Sequence, residues 1–309
     1  MSSFSASYNF PPDFKWGSAV SGQFLLEKDN FSYLYQLKDN GINDIVITLN
    51  WADYEPLKNN YNETLIDSTR NLLSRIHNFN IDPMLILDIG EIPQWQNLEK
   101  TNIQEVISTS KYNFSIHLIE SLIPYTNLVG IKTSVSSFFS GKQFTNELTV
   151  FQDIRKYIQS VSPQAKTGLI IPSEVFQVKV RNIIFLPKKV NFSPLQKAEA
   201  DFLGINPDPD LLAALKNSFP DKNFDLIVHT DKMKISAPDL KYDEIINNIY
   251  NIWRFYQEGW KITGYFSDIN LNTETPEKTI FTNICNKNSL VLSTDDAFLP
   301  EKWIRFLKD

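Results

Sequence analysis

The segment Asp44-Ile45-Val46-Ile47-Thr48-Leu49-Asn50, a helical repeat over 65–79, and then Asp82-Pro83-Met84-Leu85-Ile86-Leu87-Asp88-Ile89 together decide the fold. Both flanking runs are nearly continuous in apolar and β-branched residues, which suits strands covered on both faces, as in a parallel sheet. Asp82-Pro83 stops the helix just ahead of the second strand, because the residue before a proline is pushed out of the helical region.

The same alternation recurs outward in both directions. Strands are predicted over 14–20, 44–50, 83–89, 128–135, 166–172, 201–206, 225–230 and 262–267, and helices over 31–39, 65–79, 103–123, 150–161, 242–256 and 300–307. Ile245, Ile246, Ile249, Ile252, Trp253 and Tyr256 recur at intervals of three and four, which is one apolar helix face. Gly41 and Gly259 stand where helix C-terminal stops belong, and Ser162-Pro163 ends another helix. A strand-then-helix pattern repeated eight times predicts a (β/α)8 TIM barrel with minimal loops, forming a single domain over 1–309. An open doubly wound sheet is the alternative. No Gly-x-Gly-x-x-Gly follows a strand and no Gly-Lys-Ser/Thr loop occurs, so its phosphate-binding form has no support.

Composition narrows the function. The 309 residues are 42% hydrophobic and 21% charged, enough chain to bury a full core. A net charge of -6 argues against nucleic acid as a partner, since such binders need a basic face. Cys285 is the only cysteine, and His77, His117 and His229 lack ligand spacing, so neither a disulfide nor a metal site is expected. No apolar run is long enough to cross a bilayer, and residues 1–10 lack a signal pattern. The expectation is a cytoplasmic protein with no cofactor and no membrane contact.

The start, Phe10-Pro11-Pro12-Asp13-Phe14-Lys15-Trp16-Gly17-Ser18-Ala19, resembles the N-terminal signature of glycoside hydrolase family 1, the β-glucosidase family. Further likenesses follow in order. They are Leu37-Lys38-Asp39-Asn40-Gly41-Ile42; Thr48-Leu49-Asn50-Trp51 with Pro56; Asp82-Pro83-Met84-Leu85 with Ile92-Pro93-Gln94-Trp95; Asp201-Phe202-Leu203-Gly204-Ile205-Asn206; and Glu258-Gly259 with Gly264-Tyr265-Phe266. The resemblance implies the same barrel and a retaining β-glycosidase ancestry, whose chemistry needs a nucleophile and a proton donor carried by two carboxyl groups about 5 Å apart.

On this chain both implied carboxylates are replaced. Val135-Ser136-Ser137 occupies the Asn-Glu-Pro slot after the fourth strand, so Ser136 stands for the acid/base. Thr230, within Ile227-Val228-His229-Thr230-Asp231-Lys232, stands for the nucleophile. The sugar-gripping positions change too. The third-strand histidine and tryptophan fall on Ile89 and Gly90, and the second-strand arginine on Val46. The tyrosine after the sixth strand falls on Pro207 or Asp208, and the last tryptophan on Asp268. Only Gln23 and Asn206 represent the original polar set. The chain is also shorter than family members usually are, chiefly after the fifth and sixth strands.

Other acids stand at or past strand ends, where barrels place their sites: Asp88, Glu91, Glu174, Asp208, Asp231 and Asp268. They could form a relocated catalytic pair, with Asp231 foremost, or simply be solvated or cap helices. In Asn146-Glu147, Thr145 or Asn146 is expected to cap a helix, with Glu147 in its first turn. A Ser136/His229/Asp231 triad can be assembled on paper, but no nucleophile elbow surrounds Ser136. Trp16, Trp51 and Trp95 could stack on a sugar, though core packing is the expectation. The reading is therefore a catalytically inactive family 1-like barrel that binds a carbohydrate or protein partner through Gln23, Asp88, Glu174, Asn206, Asp231 and Asp268. The alternatives are a glycosidase with relocated carboxylates and a purely structural module.

Overall fold

The computed structural model describes residues 5–26, 31–98, 103–134, 141–172, 178–180, 183–185, 195, 198–205, 215, 219, 225–229, 238–267 and 276–293. Eight parallel strands close into a barrel. In order around the ring they are β2 (Lys15–Ser21), β3 (Asp44–Asn50), β4 (Asp82–Asp88), β5 (Leu128–Lys132), β6 (Lys166–Ile170), β9 (Phe202–Ile205), β10 (Asp225–His229) and β11 (Ile262–Ser267), which pairs back onto β2. These are the eight strands read from the sequence, each displaced by at most a few residues at its ends. The helices are α1 (Gly22–Leu26), α2 (Phe31–Asp39), α3 (Trp51–Tyr54), α4 (Glu63–Asn78), α5 (Ile103–Leu122), α6 (Gly141–Val161), α7 (Pro238–Gln257) and α8 (Pro276–Lys287). The expected helix over 300–307 lies outside the described residues. Among the described residues no helix is long and apolar enough to cross a membrane.

Alternation along the strands sorts the core into two bodies. Outward residues such as Ile45, Ile47, Leu85, Leu87, Val129 and Ile131 pack against the helices. Inward residues Val46, Met84, Ile86, Ile170, Phe202, Ile227 and Phe266 form a separate apolar plug in the barrel interior. Glycine makes room for the large rings. A Cβ on Gly17 would lie 2.1 Å from the Phe266 ring, and one on Gly168 would lie 2.2 Å from Phe202. Gly41 (φ 73°) and Gly259 (φ 87°) end their helices in the left-handed conformation, as their positions suggested.

Three features differ from the sequence expectation. First, β1 (Ser5–Asn9) pairs antiparallel with β12 (Ser289–Ser293), and α8 precedes β12. The turn at Asn288 fastens this closure: its amide donates to the Phe10 and Pro11 carbonyls, and its Oδ1 accepts from the Trp16 indole at 2.8 Å. Second, β7 (Val178–Val180) and β8 (Ile183–Phe185) form a short antiparallel pair. Third, α6 begins at Gly141, so Thr145 and Asn146 lie inside it and do not cap it. Glu147 is buried and takes a hydrogen bond from the buried Lys111 ammonium of α5. The helix-packing contact, invisible to a local reading, overrode the dipole position expected for that acid.

Candidate ligand site at the barrel mouth

The mouth lies at the C-terminal ends of the barrel strands. Alternation carries the inward face of β4 from Met84 through Ile86 to Asp88, its last residue, and that of β5 from Leu128 through Gly130 to Lys132. The register sets Asp88 directly beside Lys132, with Asn50 on the far side of Asp88 and Ile170 on the far side of Lys132. Lys132 Nζ lies 3.1 Å from Asp88 Oδ2, with side chains 20% and 6% exposed. Asp88 Oδ1 accepts the Gly90 backbone N–H at 3.0 Å. An acid and a base thus sit paired and nearly dry on top of the apolar plug.

Gly90 turns the chain tightly there: a Cβ would meet the Thr133 carbonyl oxygen at 2.7 Å. No side chain fits at the position that the resemblance assigns to a sugar-contacting tryptophan. Ile89 is fully buried in the outer core, and Val46 belongs to the interior plug. The three positions therefore present no polar group to the mouth.

The loop after β3 is ordered around Glu55. This buried carboxylate accepts from the Trp51 indole at 2.6 Å and from Asn59 N at 2.8 Å, while its backbone carbonyl accepts from the Trp95 indole at 2.8 Å. Trp51 is wholly buried, stacked on Phe114 and edge-on to Trp95. Trp16 is buried against Phe10, Phe14 and Tyr265. Trp16 and Trp51 are core residues, as expected. Beside them the Tyr54 hydroxyl contacts Thr69 Oγ1 at 2.7 Å, and burial pushes its pKa up to about 12.

Of the six residues assigned to the site from sequence, Asp88 is placed at the mouth. Gln23 falls in α1, with its side chain outside the described residues. Glu174, Asn206, Asp231 and Asp268 lie outside the described residues, as do Ser136, Asp208 and Thr230. His229 ends β10. Sequence reasoning missed Lys132. The signal was available: counting by twos from Leu128 puts it on the inward face of the strand, at its last residue.

No family model matches the chain, and no curated protein matches it. Solved structures do. A β-glycosidase from Pyrococcus horikoshii aligns with a TM-score of 0.66 and 11% identity, covering 96% of this chain and 100% of that one. The family 1 β-glucosidase from Thermotoga maritima gives 0.67 and 11%, over 91% and 99% of the two chains. The family 1 β-glucosidase from Exiguobacterium antarcticum B7 gives 0.65 and 11%, over 91% and 99%. At such identities the likeness is one of architecture: this chain has the (β/α)8 barrel fold of family 1 β-glucosidases.

Proposed function

We propose that the chain is a barrel of the family 1 β-glucosidase type that does not hydrolyse glycosides and instead binds carbohydrate at its mouth. The observation that carries this reading is the paired replacement of the two implied glutamates by Ser136 and Thr230. Retaining hydrolysis needs both carboxyl groups, one to attack and one to protonate the leaving oxygen. Support comes from the described part of the mouth. Val46, Ile89 and Gly90 offer no sugar-gripping side chain, and Asp88 is neutralised by Lys132.

The test uses the purified chain with an aryl β-glucoside and, separately, a thermal-shift screen of neutral mono- and disaccharides. The expected result is no hydrolysis above buffer, together with a rise in melting temperature for at least one sugar, since a ligand of the folded state stabilises it. Hydrolysis abolished by Asp231→Asn would instead establish a rebuilt glycosidase site. A screen with no shift for any sugar would leave a protein partner or a structural role in its place.

A further inference from the structure

We propose that the outer edge of β1 is a self-association surface, on which a second copy of this chain pairs its own β1 antiparallel about a twofold axis through Ser7. The inference is independent of the carbohydrate reading and concerns a different part of the molecule.

β1 has a partner on one side. Its sheet has two strands, and among the described residues β12 is the strand beside it. The Phe10 N–H donates to the Asn288 carbonyl at 3.1 Å, which fixes the alternation of the ladder. Tyr8 and Ala6, stepping back by twos from Phe10, turn their backbone groups toward Leu290 and Leu292 of β12. Ser5, Ser7 and Asn9 therefore turn theirs away from β12, to the open edge. All three residues are exposed, whereas Tyr8 is buried against Tyr250 and Trp253 of α7 and holds the strand in place. The edge is presented already ordered, which lowers the entropic cost of pairing with it.

An open edge is a template for another strand, and natural proteins blunt it with charge, proline or a bulge. This edge has none of the three. Residues 1–12 and 288–294 contain no Asp, Glu, Lys or Arg, in a chain whose residues are 21% charged. The β1–β12 register is unbroken, and β1 lacks proline. Copies with a net charge of -6 repel one another, and an uncharged ribbon is where that repulsion is weakest. The opposite edge of the sheet is less open, because Ser289 is buried and Ser293 has a further partner.

Symmetry names the occupant. With the axis at Ser7, the middle residue of β1, Ser7 faces the partner's Ser7 and Ser5 faces the partner's Asn9. Every residue with outward backbone groups then meets another of its kind, and each such pair exchanges both hydrogen bonds. A slip of one residue would set these groups against residues whose own groups already serve β12. The strand is its own complement when reversed, which is the condition for an isologous dimer. A ladder of 5 residues is a small interface, so association is weak and depends on concentration.

The experiment is sedimentation velocity of the full chain from about 10 μM to about 1 mM, a span that covers weak association. It is repeated on Ser7→Pro, Ser7→Lys and Ser7→Glu, each checked for folding by circular dichroism. Proline removes an outward N–H that β12 does not use, a place where an edge strand tolerates it. Either charge faces its like across the axis, while a mixture of the two charged variants sets opposite charges face to face. The wild type is expected to shift from monomer to dimer as concentration rises. Ser7→Pro should weaken that association about tenfold, since each copy loses a hydrogen bond. Each charged variant alone should weaken it about threefold, and their equimolar mixture should restore it. A wild-type chain that stays monomeric throughout overturns the inference and leaves the edge to another protein's strand or to water. A wild-type dimer that no folded variant weakens overturns the place of the interface. A mixture no tighter than the charged variants alone overturns the twofold pairing at Ser7, and this comparison decides even if the proline variant unfolds.

Discussion

Both ends of the barrel carry Lys–Asp pairs between strands, yet the two ends are built differently. At the base the pairs join residues at or just before the starts of strands. Lys15 of β2 reaches Asp44 of β3 at 2.5 Å, and Asp225 of β10 holds Lys166 of β6 at 3.3 Å and Lys261 at 2.5 Å. These lysines are 33%, 56% and 69% exposed, so the Lys166 and Lys261 ammonium groups stay in water and that of Lys15 is partly covered. At the mouth the pair joins last residues, with Asp88 enclosed and Lys132 less exposed than any lysine of the base. Between the two layers lies the apolar plug. The base is sealed by charges that water still shares, whereas the mouth holds a charge pair that water barely reaches.

The comparison depends first on the plug that separates the ends. Phe266→Ala removes a fully buried ring from it. It is expected to lower unfolding free energy by about 3–5 kcal/mol in urea denaturation. A loss below about 1 kcal/mol would mean that the plug does not separate the two layers energetically.

Breaking the mouth pair should come next. Lys132→Met leaves Asp88 buried without its ammonium partner, and about 3 kcal/mol should be lost, the low end for a broken buried pair because Lys132 is not fully enclosed.

Alkaline pH distinguishes the ends in another way. Burial holds the Tyr54 hydroxyl beyond the mouth at about 12, above the ordinary tyrosine value of 10.0. At the base, burial pulls Lys15 down, but the charges and hydrogen bonds of Asp44 and Asp82 outweigh it, so its net shift from 10.5 is upward. For Asp44 burial acts in the opposite sense, and together with the Asp82 charge it raises the carboxyl despite the charge and hydrogen bond of Lys15. A group whose folded pKa is raised holds its proton more tightly when folded. Its stabilisation is therefore complete below the unfolded value and disappears as pH rises through the folded one. Unfolding free energy should fall above pH 10, by roughly 2–3 kcal/mol up to pH 12 from Tyr54 alone, and Tyr54→Phe should flatten that fall more than Lys15→Met does.

The smallest effect belongs to the base. Lys166→Met leaves Asp225 paired with Lys261 and removes a half-exposed partner, so the change should be about 1 kcal/mol or less. A loss equal to that of Lys132→Met would erase the distinction between the ends.

Much of the fold was legible in local patterns. The strand over 44–50 and the helix over 31–39 match β3 and α2 residue for residue, because one is a continuous apolar run and the other an isolated amphipathic repeat ended by Gly41. The α8 helix was overlooked, although Ile280, Phe281 and Ile284 carry a helical spacing. The β1–β12 pairing was not legible. Ser5–Asn9 has no apolar run, and it becomes a strand because a segment some 280 residues later supplies its hydrogen bonds and Asn288 clamps it in place. Glu147 reads as a first-turn acid until α5 brings Lys111 against it. Asp88 was recognised by its place at a strand end, and Lys132 was not, since nothing local says that the two stand side by side.

Sequence by itself determined the alternation of strands and helices and the inward and outward faces of each strand. These follow from spacing and from residue identity, which are properties of the chain. Only the tertiary structure decided which charges meet: Lys132 with Asp88, Lys111 with Glu147, and Asn288 with the N-terminal strand. Register and helix packing are set by the simultaneous fit of the whole barrel, and one residue of slip in any strand would turn its polar end from the mouth to the helices.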